Sequence, residues 1–308
     1  MITYYYRSVR EEKLKKLDEF RTGSWIHAEA PNREELTLLQ EEYKLDTDLL
    51  ADALDPDEIP RIEVEEEISY VYMRYAYRQG DTVETDPVLI AVGPNFVATV
   101  SRHALPNFEK LMSSVEAVTT QRAKLLLVLL NHLVASYQTN LKFIDRQIRS
   151  VRGRLNVSNV NNRDFVQFVV VEDALNSFLA DLVPANLLLQ QLLGGRYLLK
   201  FHEDDRDLIE DLVQDTRQLG ESSRSSLRTI VNIREAYSNI MTNNLNRRVG
   251  VLTTLTVILT IPTIVFSMFG MNVPVPGADS GWSIAVIVVS TAAIMAGALY
   301  FLYRKRWI

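Results

Sequence analysis

Apolar positions along this chain change their spacing twice, and the changes divide it into three stretches. Over the first hundred residues short apolar and aromatic runs alternate with helical signals. Ile2 to Arg7 and Ser24 to Ala28 read as strands. Asn32 is a good N-cap, with Glu34 and Glu35 in the first turn of a helix running to about Tyr43. A second helix is expected around Asp48 to Leu54. Strands follow at Ile62 to Val64, Ile68 to Tyr77, Val88 to Val92 and Phe96 to Val100, with turns at Gln79-Gly80-Asp81 and Gly93-Pro94-Asn95. The aromatic run Tyr70, Tyr72 and Met73 to Tyr77 reads as sheet packing. After Pro106 the spacing becomes helical: Leu111 to Leu155 reads mostly as helix, then a polar break at Asn156 to Asn162, then Phe165 to Leu193, stopped by Gly194-Gly195. From about Glu203 no proline occurs until Pro262. Apolar residues recur at three and four: Leu208, Leu212, Leu219, Leu227, Ile230, Ile233, Tyr237 and Ile240. That seam implies association with other helices, in a helix on the order of 100 Å long at ~1.5 Å per residue.

The third stretch is apolar on every side. Val249 to Phe269 carries no Asp, Glu, Lys or Arg, and neither does Trp282 to Tyr303. About 20 apolar residues in a helix cross the hydrocarbon core of a bilayer, so the spacing predicts a two-helix membrane hairpin. Arg247 and Arg248 precede it, Arg304, Lys305 and Arg306 follow it, and the loop between carries only Asp279. Basic flanks stay cytoplasmic. Both termini are therefore expected inside a plasma membrane, with the short loop outside. Trp282, Tyr300, Tyr303 and Trp307 sit where interfacial anchors sit. Met1 to Arg10 contains no apolar run that could serve as a signal peptide.

Inside the first span, small or polar residues recur at three and four: Asn246, Gly250 (or Val249), Thr253, Thr256, Thr260, Thr263, Ser267 and Gly270. Thr254 is the one polar residue off the stripe. Such a row serves either close helix packing or a water-facing line around a symmetry axis. Asparagines at its two ends, Asn246 and Asn272, favour the second. Pro262 frees the Ile258 carbonyl, which must then meet water or protein. Two helices from one chain cannot enclose a channel, so several copies would meet with the striped helix inside. The second span is aliphatic all round except for Ser290 and Thr291, which suits a lipid-facing place.

Composition narrows the function. The net charge of −6 argues against nucleic acid, and the absence of cysteine excludes disulfides and thiolate metal sites. His27, His103, His132 and His202 have no ligand spacing. No nucleotide or hydrolase motif is found, so neither an enzyme nor an organic cofactor is expected.

Gly270-Met271-Asn272 after the first span, Pro262-Thr263 within it, a short outer loop and the tail Arg304-Lys305-Arg306-Trp307-Ile308 together resemble the CorA magnesium transporter family. The resemblance implies an α/β N-terminal cytoplasmic domain (1–105), a cytoplasmic helical domain and stalk helix (106–248) and two C-terminal transmembrane helices (249–308, spans about 249–269 and 282–303, outer loop 270–281), assembled as a funnel-shaped homopentamer. It implies passive Mg²⁺ influx, with Co²⁺ or Ni²⁺ as further cargo, through a filter of Gly270, Met271 and Asn272. Mg²⁺ dehydrates reluctantly, and neutral amide oxygens accept hydrogen bonds from its waters without stripping them. Matched without gaps from Asn272, Asn246 falls on an inner asparagine ring, Val249 and Leu252 on a hydrophobic constriction and Thr263 on a pore threonine. Thr260 stands where some relatives place an apolar gate residue. Asp211 falls on a stalk acid that senses cytoplasmic Mg²⁺, within a cluster of Asp204, Asp205, Asp207, Glu210 and Asp215, with Glu66 and Glu67 as the opposing acids of a neighbouring subunit. Loss of those cations would let subunits splay and open the pore. The chain departs from its relatives in its outer loop, Val273-Pro274-Val275-Pro276-Gly277, which lacks their glutamates, and in Phe269, where tyrosine is common. A potential of ~2.3 kcal/mol per charge per 100 mV, about 4.6 for a dication, suffices to drive influx. Two other readings are weighed: a Zn²⁺ transporter of the sister branch, which Met271 disfavours because isoleucine is usual there, and a membrane-anchored scaffold, to which a row of threonines brings nothing.

Overall fold

The computed structural model describes residues 1–154, 162–195, 199–271 and 281–304. They form two compact units, Met1–Val231 and Asn232–Ile308.

In the first unit, apolar and aromatic runs pair into a seven-stranded sheet of order β2-β1-β3-β7-β6-β5-β4. The strands are β1 (Ile2–Tyr6), β2 (Lys15–Leu17), β3 (Ser24–Glu29), β4 (Arg61–Glu65), β5 (Ile68–Gln79), β6 (Thr82–Val92) and β7 (Phe96–Ser101). All neighbours are antiparallel except β3 and β7. Two features were not expected from the sequence. Edge strand β2 is short and lysine-bearing, a composition that hides its strand character while protecting the edge. Strand β6 begins six residues earlier than its apolar run, at Thr82. Its Pro87 is tolerated because β7 pairs only from Val88 onward, leaving no ladder bond for the missing N–H on that side.

Helices cover both faces. On one, α1 (Arg33–Tyr43) starts from the expected Asn32, which forms a capping box with Glu35, and α2 (Thr47–Asp52) is capped by Asp46. Leu39, Tyr43, Leu49 and Leu50 pack on Tyr70, Tyr72, Leu89, Phe96 and Val100. The Tyr72 hydroxyl donates to the Leu49 carbonyl at 2.6 Å. Side chains alternate along β5, so the face reached through Ala76 meets α4 (Arg122–Arg154). There Asn140 Nδ2 donates to the Ala76 carbonyl at 3.0 Å, and the Ala76 amide donates to Ser136 Oγ at 2.8 Å.

The helix expected from Leu111 is interrupted. Helix α3 (Phe108–Met112) stops early, and 113–121 is irregular. Its Thr119 amide donates to the Arg7 carbonyl at 3.0 Å, and its hydroxyl accepts from the Arg7 amide at 2.9 Å. The segment thus extends the end of β1 in place of a helical turn.

Helix α5 (Asn162–Leu193) is tied to the sheet by a buried network: Arg74 Nε lies 2.9 Å from Asp181 Oδ1, and the Tyr137 hydroxyl donates to Asp181 Oδ2 at 2.9 Å. Burial raises the pKa of Asp181, against the opposing pull of the Arg74 guanidinium. Helix α6 (Glu203–Phe269) begins in this unit. Asn186 of α5 donates to its Val213 carbonyl at 2.7 Å, and Ser226 donates to Asp145 of α4 at 2.8 Å. Of the expected seam, Leu212, Leu219 and Ile230 are buried, whereas Leu208 is exposed and its neighbour Ile209 takes the buried place.

Candidate functional site: the polar face of the C-terminal hairpin

Unit Asn232–Ile308 contains the C-terminal part of α6 and α7 (Ser283–Arg304), the latter one residue later at each end than the charge-free run. Both helices are long and apolar enough to cross a membrane, and almost none of either apolar stretch is buried. Their length and composition, not a soluble core, account for them.

The burial on each helix falls along one stripe, as it would where the two pack together. Within the charge-free stretch of α6 the covered or half-covered residues are Gly250, Thr254, Ile258, Ile261, Pro262, Val265 and Phe269. On α7 they are Ser283, Ile287, Thr291, Met295, Ala298 and Leu302. Each set recurs at three and four and so forms one stripe. Thr254 and Thr291 are the only fully buried residues of the two spans, at 8% and 4% exposure. The threonine off the polar row is therefore a packing residue, small enough for close helix approach. Ile258 and Pro262 are both half-buried and belong to this stripe.

The expected polar row lies elsewhere on α6. At ~100° per residue its centre is roughly 150° around the helix from the packing stripe. Asn246, Val249, Leu252, Thr253, Thr256, Thr260, Thr263 and Ser267 are all exposed, and α7 covers none of them. Gly250, offered as an alternative to Val249 in that row, is half-buried and belongs to the packing side. Three of the hydroxyls bond backward: Thr256 donates to the Leu252 carbonyl at 2.9 Å, Thr260 to the Thr256 carbonyl at 2.7 Å and Thr263 to the Leu259 carbonyl at 2.8 Å. A hydroxyl has one proton and two lone pairs. With the proton held by the helix, the row offers acceptor oxygens outward. Gly270 continues the last turn, its amide donating to the Phe266 carbonyl at 2.9 Å, and a Cβ there would stand 3.2 Å from that carbonyl oxygen. Met271 is exposed. Residues 272–280 of the outer loop, Asn272 among them, and the tail from Lys305 lie outside the described residues.

Asp211 is exposed on α6 in the first unit, whereas Asp205 is buried and accepts from the His202 amide at 2.9 Å, a helix-starting role. Asp215 lines a cavity of about 250 Å³ with Asp145, Lys142 and Gln138. Glu66 and Glu67 form the two-residue turn between β4 and β5, where Glu65 pairs with Ile68, and Glu66 adopts φ 51°. Among the described residues of one chain no group of three or more His, Asp or Glu is placed to hold a metal ion. His27 and His132 are held by Thr99 Oγ1 and the Pro106 carbonyl.

The family model described as CorA-like Mg²⁺ transporter protein matches residues 21–305. This chain belongs to the CorA family. It is 24% identical, over 98% of its own length and 96% of the relative's, to the cobalt/magnesium transport protein CorA of Methanocaldococcus jannaschii. The complete structure of the CorA magnesium transporter from that organism superposes with a TM-score of 0.86 at 22% identity, covering 100% of this chain and 99% of that one. The full-length CmaX protein superposes with a TM-score of 0.76 at 20% identity, covering 98% and 96%. The CorA fold thus extends over the whole chain: an α/β N-terminal part, a long helix and two C-terminal candidate membrane helices.

Proposed function

We propose that the chain is one subunit of a homopentameric channel in the plasma membrane that passes Mg²⁺ passively down the membrane potential, with Co²⁺ and Ni²⁺ as further cargo. In this reading residues 1–105 and 106–248 are cytoplasmic, both termini face the cytoplasm, and five copies of α6 surround the axis while α7 faces lipid. No organic cofactor is required. The observation that carries the reading is the uncovered row on α6, in which the hydroxyl protons of Thr256, Thr260 and Thr263 are spent on the helix's own carbonyls. A surface of acceptor oxygens suits the outward-pointing hydrogens of an aquated dication and gives an anion nothing to accept. The family description and the name of the M. jannaschii relative support Mg²⁺ and Co²⁺ as cargo.

Each candidate residue has a role in this scheme. Asn272, held by Gly270 and Met271, meets the hydrated ion outside, and Asn246 meets it inside. Thr253, Thr256, Thr260, Thr263 and Ser267 line the path. Val249 and Leu252 narrow it with apolar side chains that close by dewetting. Asp211 and the neighbouring subunit's Glu66 and Glu67 hold regulatory Mg²⁺ that keeps the assembly shut.

The test is ion uptake into liposomes holding purified protein, with Mg²⁺, Co²⁺ and Zn²⁺ compared. Mg²⁺ entry that Asn272→Ala abolishes is the expected result. Equal uptake by that variant rejects the filter, and no uptake of any ion by the parent rejects transport altogether.

A further inference from the structure

The cavity beside the β4–β5 turn has a lining that an aquated metal ion does not use. It measures about 410 Å³ and is lined by Phe20, Tyr43, Ile68 and Phe96, with Glu42, Glu66, Glu67 and Lys44 among its polar residues. Three rings form a continuous aromatic cluster: Phe20 and Tyr43 meet edge to face at 5.0 Å, Tyr43 and Phe96 at 5.6 Å. Tyr43, Ile68 and Phe96 are buried, while Phe20 remains 37% exposed although the Tyr4 and Tyr43 rings lie beside it.

The carboxylates are placed by an unfavourable turn. A two-residue hairpin loop with positive φ at its first position favours glycine, asparagine or aspartate. This chain puts Glu66 there at φ 51°, followed by Glu67. Three carboxylates against one ammonium leave the lining net negative.

Acids alone would suit Mg²⁺. That ion keeps its waters and gains nothing from an apolar aromatic floor. An alkylammonium uses both halves of the lining, burying methylenes and placing N⁺ near ring faces while its N–H groups donate to carboxylates. A volume above ~300 Å³ accommodates a small organic molecule. We propose that this cavity binds a linear aliphatic polyamine, with ammonium groups on Glu66 and Glu67 and the methylene chain against Phe20, Tyr43 and Phe96.

The proposal does not depend on the transport reading, although the two share Glu66 and Glu67. Binding is therefore measured directly rather than through uptake. Isothermal titration of the purified full-length chain with spermidine, at physiological salt to screen diffuse attraction, is expected to give saturable binding. Phe20→Ala should weaken it about tenfold, a loss in the range of lost cation–π and packing contact. The double substitution Glu66→Gln and Glu67→Gln should weaken it at least as much. Lys44→Gln, which removes the opposing charge at an exposed position, should tighten it about threefold. In parallel titrations with Mg²⁺, Phe20→Ala should change nothing. Absent spermidine binding, spermidine binding indifferent to both Phe20→Ala and Lys44→Gln, or Mg²⁺ binding weakened by Phe20→Ala as much as spermidine binding, overturns the proposal.

Discussion

Replacing Thr260 by valine tests the polar row with almost no change of shape. The side chain is exposed, and its hydroxyl donates to the Thr256 carbonyl of its own helix. Valine is nearly isosteric and leaves that helix intact, so what disappears is an outward acceptor oxygen. A net hydrogen bond is worth about 0.5–1.5 kcal/mol. If, in the proposed pentamer, an aquated dication leans on two of these oxygens at a time, its passage there becomes harder by about 1–3 kcal/mol. That is roughly 5- to 150-fold in rate. Thr254→Val is the matched control: the same chemistry, two turns away, on a residue 8% exposed against α7. It should alter hairpin stability and leave flux within about twofold, since a substitution away from the proposed ion path changes no interaction with the passing ion. The assay is Mg²⁺ entry into liposomes under an imposed inside-negative potential, with equal protein incorporation verified. Unchanged entry for Thr260→Val, or an equal loss for Thr254→Val, would refute the assignment of faces.

Three further outcomes are expected. Leu252→Ser should raise Mg²⁺ leak relative to the parent, because a hydroxyl holds water where an apolar constriction expels it; reduced or unchanged leak in the same liposomes would count against Leu252 as a constriction. Asp181→Ala leaves Arg74 without its ion-pair partner and Tyr137 without its acceptor, both in a buried setting; the loss should be about 3–5 kcal/mol, read as a thermal midpoint lowered by roughly 10 °C. Burial holds the His27 imidazole down from 6.5 to about 4, with the N-terminal ammonium adding to the effect. The native state therefore binds fewer protons than the unfolded one in that window, so stability is complete above about pH 6.5 and declines as pH falls toward 4, by about 2 kcal/mol at pH 5. His27→Gln should abolish that part of the dependence in denaturant titrations at pH 7 and pH 5.

Much of the fold was legible because burial imposes period. Asn32 followed by Glu35 announced α1, and the charge-free runs announced where α6 stops and, within a residue, both ends of α7. The failures share a cause. Strand β2 and the first half of β6 carry no apolar pattern because their identity comes from neighbours, Tyr4 to Tyr6 and Arg74 to Gln79, that donate the ladder. Residues 113–121 look helical alone, but Thr119 finds the Arg7 backbone instead. Of the candidate site, the row from Asn246 to Ser267 could be read from residue type and spacing. The aromatic cavity could not, since Phe20, Tyr43, Ile68 and Phe96 are remote in sequence and share no motif.

By itself the chain determined which segments are apolar enough for a bilayer, where α1 begins and which hydroxyls share one side of α6. Those are local properties, set by composition and the geometry of 3.6 residues per turn. Tertiary structure alone decided that Thr254 faces α7 while Thr260 does not, and that Asp181 is sealed against Arg74. Two threonines in one apolar helix are chemically the same until a second helix covers one of them, and a carboxylate is ordinary until distant segments close around it.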